Sequence, residues 1–178
     1  MRLGVMSDTH GNLENMRRAA ARMIDEFKVD EIIHLGDDMS DAQQMGKISA
    51  PLTCIPGVFE QTYQNPEIPH RYIIKLGGVK VLLSHTPKRD THDLPGDIDP
   101  ERAMKMGRAT IFFHGHTHVY KMEKMNRGVV INPGHLKSDD NRGRPPSFAI
   151  VDLEPSKVRA QIIELDGGLL DEEEFTFS

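Results

Sequence analysis

The stretch Arg2-Leu-Gly-Val-Met-Ser-Asp-Thr-His-Gly-Asn12 decides how this chain folds. Arg2 to Met6 reads as a short strand, and the polar turn Ser7 to Asn12 follows at once. Beyond it Leu13, Met16, Ala20, Met23, Ile24 and Phe27 fall at helical spacing, which predicts an amphipathic helix. Asn12 suits its N-cap, because the side chain can satisfy a backbone amide that the first turn leaves free. A second apolar run, Glu31 to Leu35, ends at Gly36-Asp37. Strand, helix, strand is the beginning of a parallel sheet, and the loops at the strand ends of such sheets carry the chemistry.

Outward from this start, a shorter helix is expected from Asp41 to Ile48 and a strand from Leu52 to Ile55, broken by Pro56-Gly57. Arg71 to Leu76 and Val79 to Ser84 alternate in the strand manner around Gly77-Gly78, a hairpin signal because glycine accepts the positive φ of a tight turn. Asp99-Pro100 can cap and start a helix through Met106. Further strands are predicted at Thr110 to Phe113, Val119 to Lys124, Val129 to Asn132, Ser147 to Leu153 and Lys157 to Glu164. Residues 1–165 are read as one domain. Residues 166–178, Gly-rich and then acidic through Asp171-Glu-Glu-Glu174, are read as a solvated or frayed tail.

Composition narrows the function. A length of 178 residues fits one core, and 38% hydrophobic with 28% charged residues is ordinary globular usage. The net charge of -5 argues against an extended grip on nucleic acid, which needs clustered Lys and Arg. Cys54 stands alone and can form no intrachain disulfide, so a cytoplasmic location is expected. The opening run is too short for a signal peptide, and no stretch approaches the ~20 apolar residues that cross a bilayer.

Four strand-end loops carry oxygen or imidazole donors. Asp8 and His10 follow the first strand, Asp37 the second, His85 the hairpin, and His116 with His118 the strand ending at Phe113. Residues two apart in an extended segment can face one centre. Imidazole and carboxylate without thiolate suit Mn, Fe, Zn or Co, and fit poorly with a structural zinc finger or an all-oxygen calcium loop. Two divalent ions held this way would attract a phosphate and activate a water for in-line displacement.

The ordered set Asp8-Thr-His10, Gly36-Asp37, Pro56-Gly57, His85, Gly115-His-Thr-His118 and Asn132-Pro-Gly134 resembles the calcineurin-like metallophosphoesterases, in particular their small bacterial and archaeal phosphodiesterases. The resemblance covers nearly the whole chain. It implies an α/β fold, a four-layer α/β/β/α sandwich of two mixed sheets with a dinuclear site at the sheet edges. It further implies that Asp8, His10 and His118 bind one ion, that His85 and His116 bind the second, and that Asp37 bridges them. Manganese is the metal it favours. The expected reaction is hydrolysis of a small phosphodiester by a metal-bound hydroxide, with Asp37 and His10 as catalytic residues.

The chain departs from the family where an asparagine normally follows the Pro-Gly turn and ligates the second ion. Here that position is Val58, and valine cannot ligate, so a weaker second site is expected, with Glu60 as a less favoured substitute. Some relatives carry next to it a histidine that can protonate the leaving oxygen; Phe59 cannot. Asn12, Arg144 and His135 are candidate substrate contacts, although helix capping explains Asn12 equally and a solvated loop explains Arg144. His34 and His114 read as packed histidines, His70 and His92 as surface ones. Two further readings stay open: a phosphomonoesterase, and a protein-binding platform like the scaffold subunit of retromer, which shares this fold. A homo-oligomer is compatible with either.

Overall fold

Alternate residues of the first strand serve two different interiors. In β1 (Arg2–Met6), Leu3 and Val5 pack between two sheets, whereas Met6 packs beneath helix α1 (Leu13–Asp25). Gly4 lies on the helix side, where a Cβ would collide with Met23, so glycine lets α1 settle directly on the strand. This computed structural model describes residues 1–125, 128–140 and 142–177.

After α1 come β2 (Glu31–His34), α2 (Met39–Gln43) and β3 (Leu52–Cys54). The hairpin β4 (Arg71–Leu76) and β5 (Val79–Ser84) leads to α3 (Pro100–Lys105), β6 (Ile111–Phe113), β7 (Lys121–Met125) and β8 (Gly128–Asn132). A final meander comprises β9 (Ser147–Glu154), β10 (Lys157–Glu164) and β11 (Leu169–Thr176). The first sheet has the order β11-β10-β9-β1-β2-β3 and the second β4-β5-β6-β8-β7. Both are mixed: β1, β2 and β3 run parallel, as do β5, β6 and β8, and the other pairs are antiparallel.

Three apolar clusters define four layers. Leu3, Val5 and Ile33 meet Val81, Ile111 and Phe113 between the sheets. Met16, Ala19 and Met23 of α1 cover Ile32, Phe148 and Ile150 on one outer face. Ala103 and Met104 of α3 cover Leu82, Phe112 and Val130 on the other. The expected α/β/β/α sandwich is therefore present. It turns the carboxyl ends of β1, β2, β5, β6 and β8 toward one edge, and each of the strand-end loops with a candidate ligand starts there.

Two elements differ from expectation. The helix foreseen at Asp41 to Ile48 begins earlier, at Met39, and ends at Gln43. Its first amide is capped from a distance, since Met39 N donates to both carboxylate oxygens of Glu60 at 3.0 and 2.9 Å. The acidic segment foreseen as a frayed tail forms strand β11, paired with β10 from Val158–Phe175 to Ile162–Asp171. Its acids face bases on the neighbour: Lys157 Nζ lies 2.7 Å from Glu174, and Arg159 pairs with Glu172. Phe175 is buried against the intersheet cluster, which anchors the strand more firmly than exposed ion pairs can.

Candidate metal centre

The loops are knitted to one another before any ligand is considered. Asp8 N donates to Gly36 O at 2.9 Å, His10 N to Asp37 O at 2.9 Å and Gly115 N to His85 O at 3.0 Å. The two sheets are joined directly at the site, where His116 N donates to Asp8 Oδ2 at 2.9 Å. Gly57 and Gly115 permit this closeness, because a Cβ at either would overlap the Asp37 carboxylate or the Ser7 and Asp8 side chains.

Among the described residues six non-glycine positions have positive φ, and five of them are Asp8, His10, Asp37, His116 and His118, at 48° to 67°. Left-handed backbone costs such residues energy, and it persists where surrounding structure holds it for a purpose. The strain therefore gathers on the residues singled out as ligands.

These residues converge in two groups. Asp8, His10 and His118 each offer a donor atom, all within 4.8 Å of one another, and so do Asp37, His85 and His116. Asp37 stands between the groups, with Oδ2 3.2 Å from His85 Nε2 and 3.7 Å from His10 Nε2. His118 Nε2 lies 3.3 Å from Asp8 Oδ1 and 3.0 Å from His10 Nε2. His85 bonds Leu35 O through Nδ1 at 2.7 Å, which leaves Nε2 facing the centre, 3.3 Å from His116 Nδ1. Four imidazoles and two carboxylates without thiolate fit divalent first-row ions.

Electrostatics agree with this arrangement. Burial would lower the pKa of His85, but its bond to Asp37 and the charges of Asp8 and Asp37 carry it up to about 8. Burial would likewise raise Asp8, yet His118 and His85 hold it below the usual carboxylate range. His116 is pushed down by burial and by the neighbouring His85.

Most residues around the two donor groups have partners of their own. Glu60 groups with Asp37 and Asp38, not with His85 and His116, and its carboxylate accepts from the amides of Met39 and Gly57. Val58 is buried and offers no donor atom. Asn12 spends both polar ends, accepting from Asn15 N at 3.0 Å and donating to Ser138 Oγ at 2.6 Å. Arg144 donates to Tyr120 OH and lies over that ring at 4.8 Å. His135 is buried beside His118, with Nδ1 accepting from Lys137 N and Nε2 facing Arg144 O at 3.1 Å. His70, expected at the surface, is buried against Tyr63 and bonded to Asp97 at 2.8 Å.

One residue escaped the sequence reading altogether. Asp140 Oδ2 lies 2.6 Å from His118 Nδ1, its side chain almost fully buried. The resulting bond to His118 and the amide of Arg142 outweigh burial and depress its pKa. No periodicity or motif marks it, since it sits in a polar loop between Asp139 and Arg142.

A family model for the calcineurin-like phosphoesterase superfamily domain matches residues 1–156. A phosphodiesterase of Methanocaldococcus jannaschii is 25% identical over 177 residues, covering 92% of this chain and 100% of that protein. Among solved structures, a predicted phosphoesterase of Streptococcus pneumoniae aligns with a TM-score of 0.71 at 20% identity, over 98% of this chain and 97% of the other. Vacuolar protein sorting 29 of Cryptosporidium parvum aligns with a TM-score of 0.69 at 21% identity, with the same coverage.

Proposed function

Because the chain belongs to the calcineurin-like phosphoesterase superfamily, and is thus a metal-dependent phosphoesterase, we propose that it hydrolyses small phosphodiesters at a dinuclear centre. The observation that carries this reading is the Asp37 carboxylate standing between two three-residue donor groups. In this reading Asp8, His10 and His118 hold one ion, His85 and His116 hold the other, and Asp37 is shared. Manganese is the favoured metal, with Zn, Fe or Co as alternatives. Bound there, such ions supply Lewis-acid activation of water and of the phosphoryl group.

The chain's own residues account for the rest. Asp8 and Asp37 offset part of the positive charge, and the His116 amide fixes the Asp8 carboxylate before substrate arrives. His10, whose side chain keeps 35% of its exposure, is the ligand candidate most open to an incoming phosphate. Phe59 stands where a proton donor would be wanted, so the leaving oxygen departs as an anion. Cys54, with no second cysteine to pair with, supports a cytoplasmic location.

The deciding assay is hydrolysis of bis(p-nitrophenyl) phosphate by metal-stripped protein after manganese is restored, beside an Asp37→Asn variant. Metal-dependent turnover that the variant loses is expected. No turnover with Mn, Zn, Fe or Co would favour the protein-binding platform instead.

A further inference from the structure

Among the described residues the exposed large apolar side chains are Met1, Phe59, Met106 and Leu169. Phe59 is the aromatic one, 73% exposed, and it stands at the candidate centre: its ring centroid lies 6.2 Å from that of His116. His92 meets it edge-on, at 5.5 Å and 81°.

Neither ring hangs on loose chain. The turn under Phe59 closes through Glu60 N to Gly57 O at 3.1 Å, and the Glu60 carboxylate returns to the amides of Gly57 and Met39. His92 is tied to Asp90 Oδ1 through its own N at 2.9 Å and its Nδ1 at 2.7 Å. The loop bearing His92 is moored by the buried pair Arg71 and Asp93. An apolar ring held this firmly in water beside a phosphate-binding centre is a surface prepared for a flat partner.

We propose that Phe59, braced by His92, is a stacking platform for a nucleobase carried by the phosphoester. This inference rests on the phosphodiesterase reading and names its substrate class. An exposed aromatic ring favours a planar heteroaromatic group over a branched apolar one. Phe59 neighbours His116 itself, so a phosphate at the ions and a base on the ring would be separated by little more than one sugar, the arrangement within a nucleotide. Among the described residues the opposite flank offers no such face, because Asp140 and Arg142 adjoin His118 and Arg144 covers Tyr120. The base therefore lies on the His116 side.

The test compares adenosine 5′-monophosphate with ribose 5-phosphate, which share phosphate and sugar and differ in the base. Calorimetric binding to the manganese-loaded full chain should favour the nucleotide by about tenfold or more. Phe59→Ala should bring that ratio close to one, Phe59→Trp should keep it, and His92→Ala should reduce it in part. Equal binding of the two ligands, or a preference indifferent to Phe59→Ala, overturns the platform while hydrolysis of bis(p-nitrophenyl) phosphate would leave the phosphodiesterase reading standing. Binding of neither ligand, together with no hydrolysis, overturns both.

Discussion

Asp140 Oδ2 stands 2.6 Å from Nδ1 of His118, which leaves Nε2 of the same ring turned toward Asp8 and His10. A carboxylate behind an imidazole fixes its tautomer and orientation, and losing such a partner typically weakens metal affinity about 10- to 100-fold. Asp140→Ala should lower manganese affinity by that order in a calorimetric titration of stripped protein, and Asp140→Asn, which still accepts a hydrogen bond, should lose less. Undiminished affinity in Asp140→Ala would mean that packing alone holds the ring.

Arg71 and Asp93 bury their charges completely and share two contacts, at 2.7 and 3.1 Å. Asp93→Ala strands the guanidinium in the interior and should cost roughly 3–5 kcal/mol. Urea unfolding would show this as a lower midpoint at unchanged slope.

His34 is buried, with Gly36 N donating to its Nδ1 and Thr9 Oγ1 2.7 Å from Nε2, and burial pushes its pKa down to about 4 from the ordinary 6.5. The unfolded chain then takes up a proton that the folded one refuses, so stability falls as pH drops from about 6.5 toward 4. The loss from this group should be on the order of 2–3 kcal/mol. Unfolding free energies of metal-free protein at pH 7 and pH 4.5 test this, and His34→Gln should flatten the slope.

Val58 stands where the family resemblance leads one to expect a ligating asparagine, and it is buried. Val58→Asn should tighten binding of the second ion and speed turnover, yet destabilise the metal-free protein by about 1–3 kcal/mol, because an unpaired amide replaces a packed methyl pair. Thermal denaturation with and without manganese separates the two effects. If metal restores nothing, the amide does not reach the ion.

In the proposed reading Phe59 supplies no proton to the leaving group, so aryl diesters whose leaving group departs as a stable phenolate should be cleaved far faster than alkyl diesters. Parallel assays on bis(p-nitrophenyl) phosphate and a dialkyl phosphate measure the ratio. Equal rates would reveal an acid elsewhere in the site.

Much of this protein is legible in its sequence because its motifs sit at strand ends. The apolar runs of β1 and β2, the Gly77-Gly78 hairpin and the Asn12 cap are local signals, and local signals survive folding. So do Asp8, His10, Asp37, His85, His116 and His118, whose donor atoms the structure draws into two groups. What stayed hidden depends on partners far along the chain. Asp140 meets His118 across 22 residues, and Glu60 caps a helix 21 residues before it. The tail misled for the same reason: Asp171 to Glu174 look like a solvated run until β10 supplies Lys157, Arg159 and a seat for Phe175.

That last strand has a further effect. As the outermost member of the six-stranded sheet, β11 leaves one row of backbone amides and carbonyls open to pairing, the usual seed of fibrous stacking between molecules. Its four consecutive acids would meet the same four acids on any second copy approaching strand to strand. Like charge along this open border thus disfavours edge-to-edge pairing of two copies.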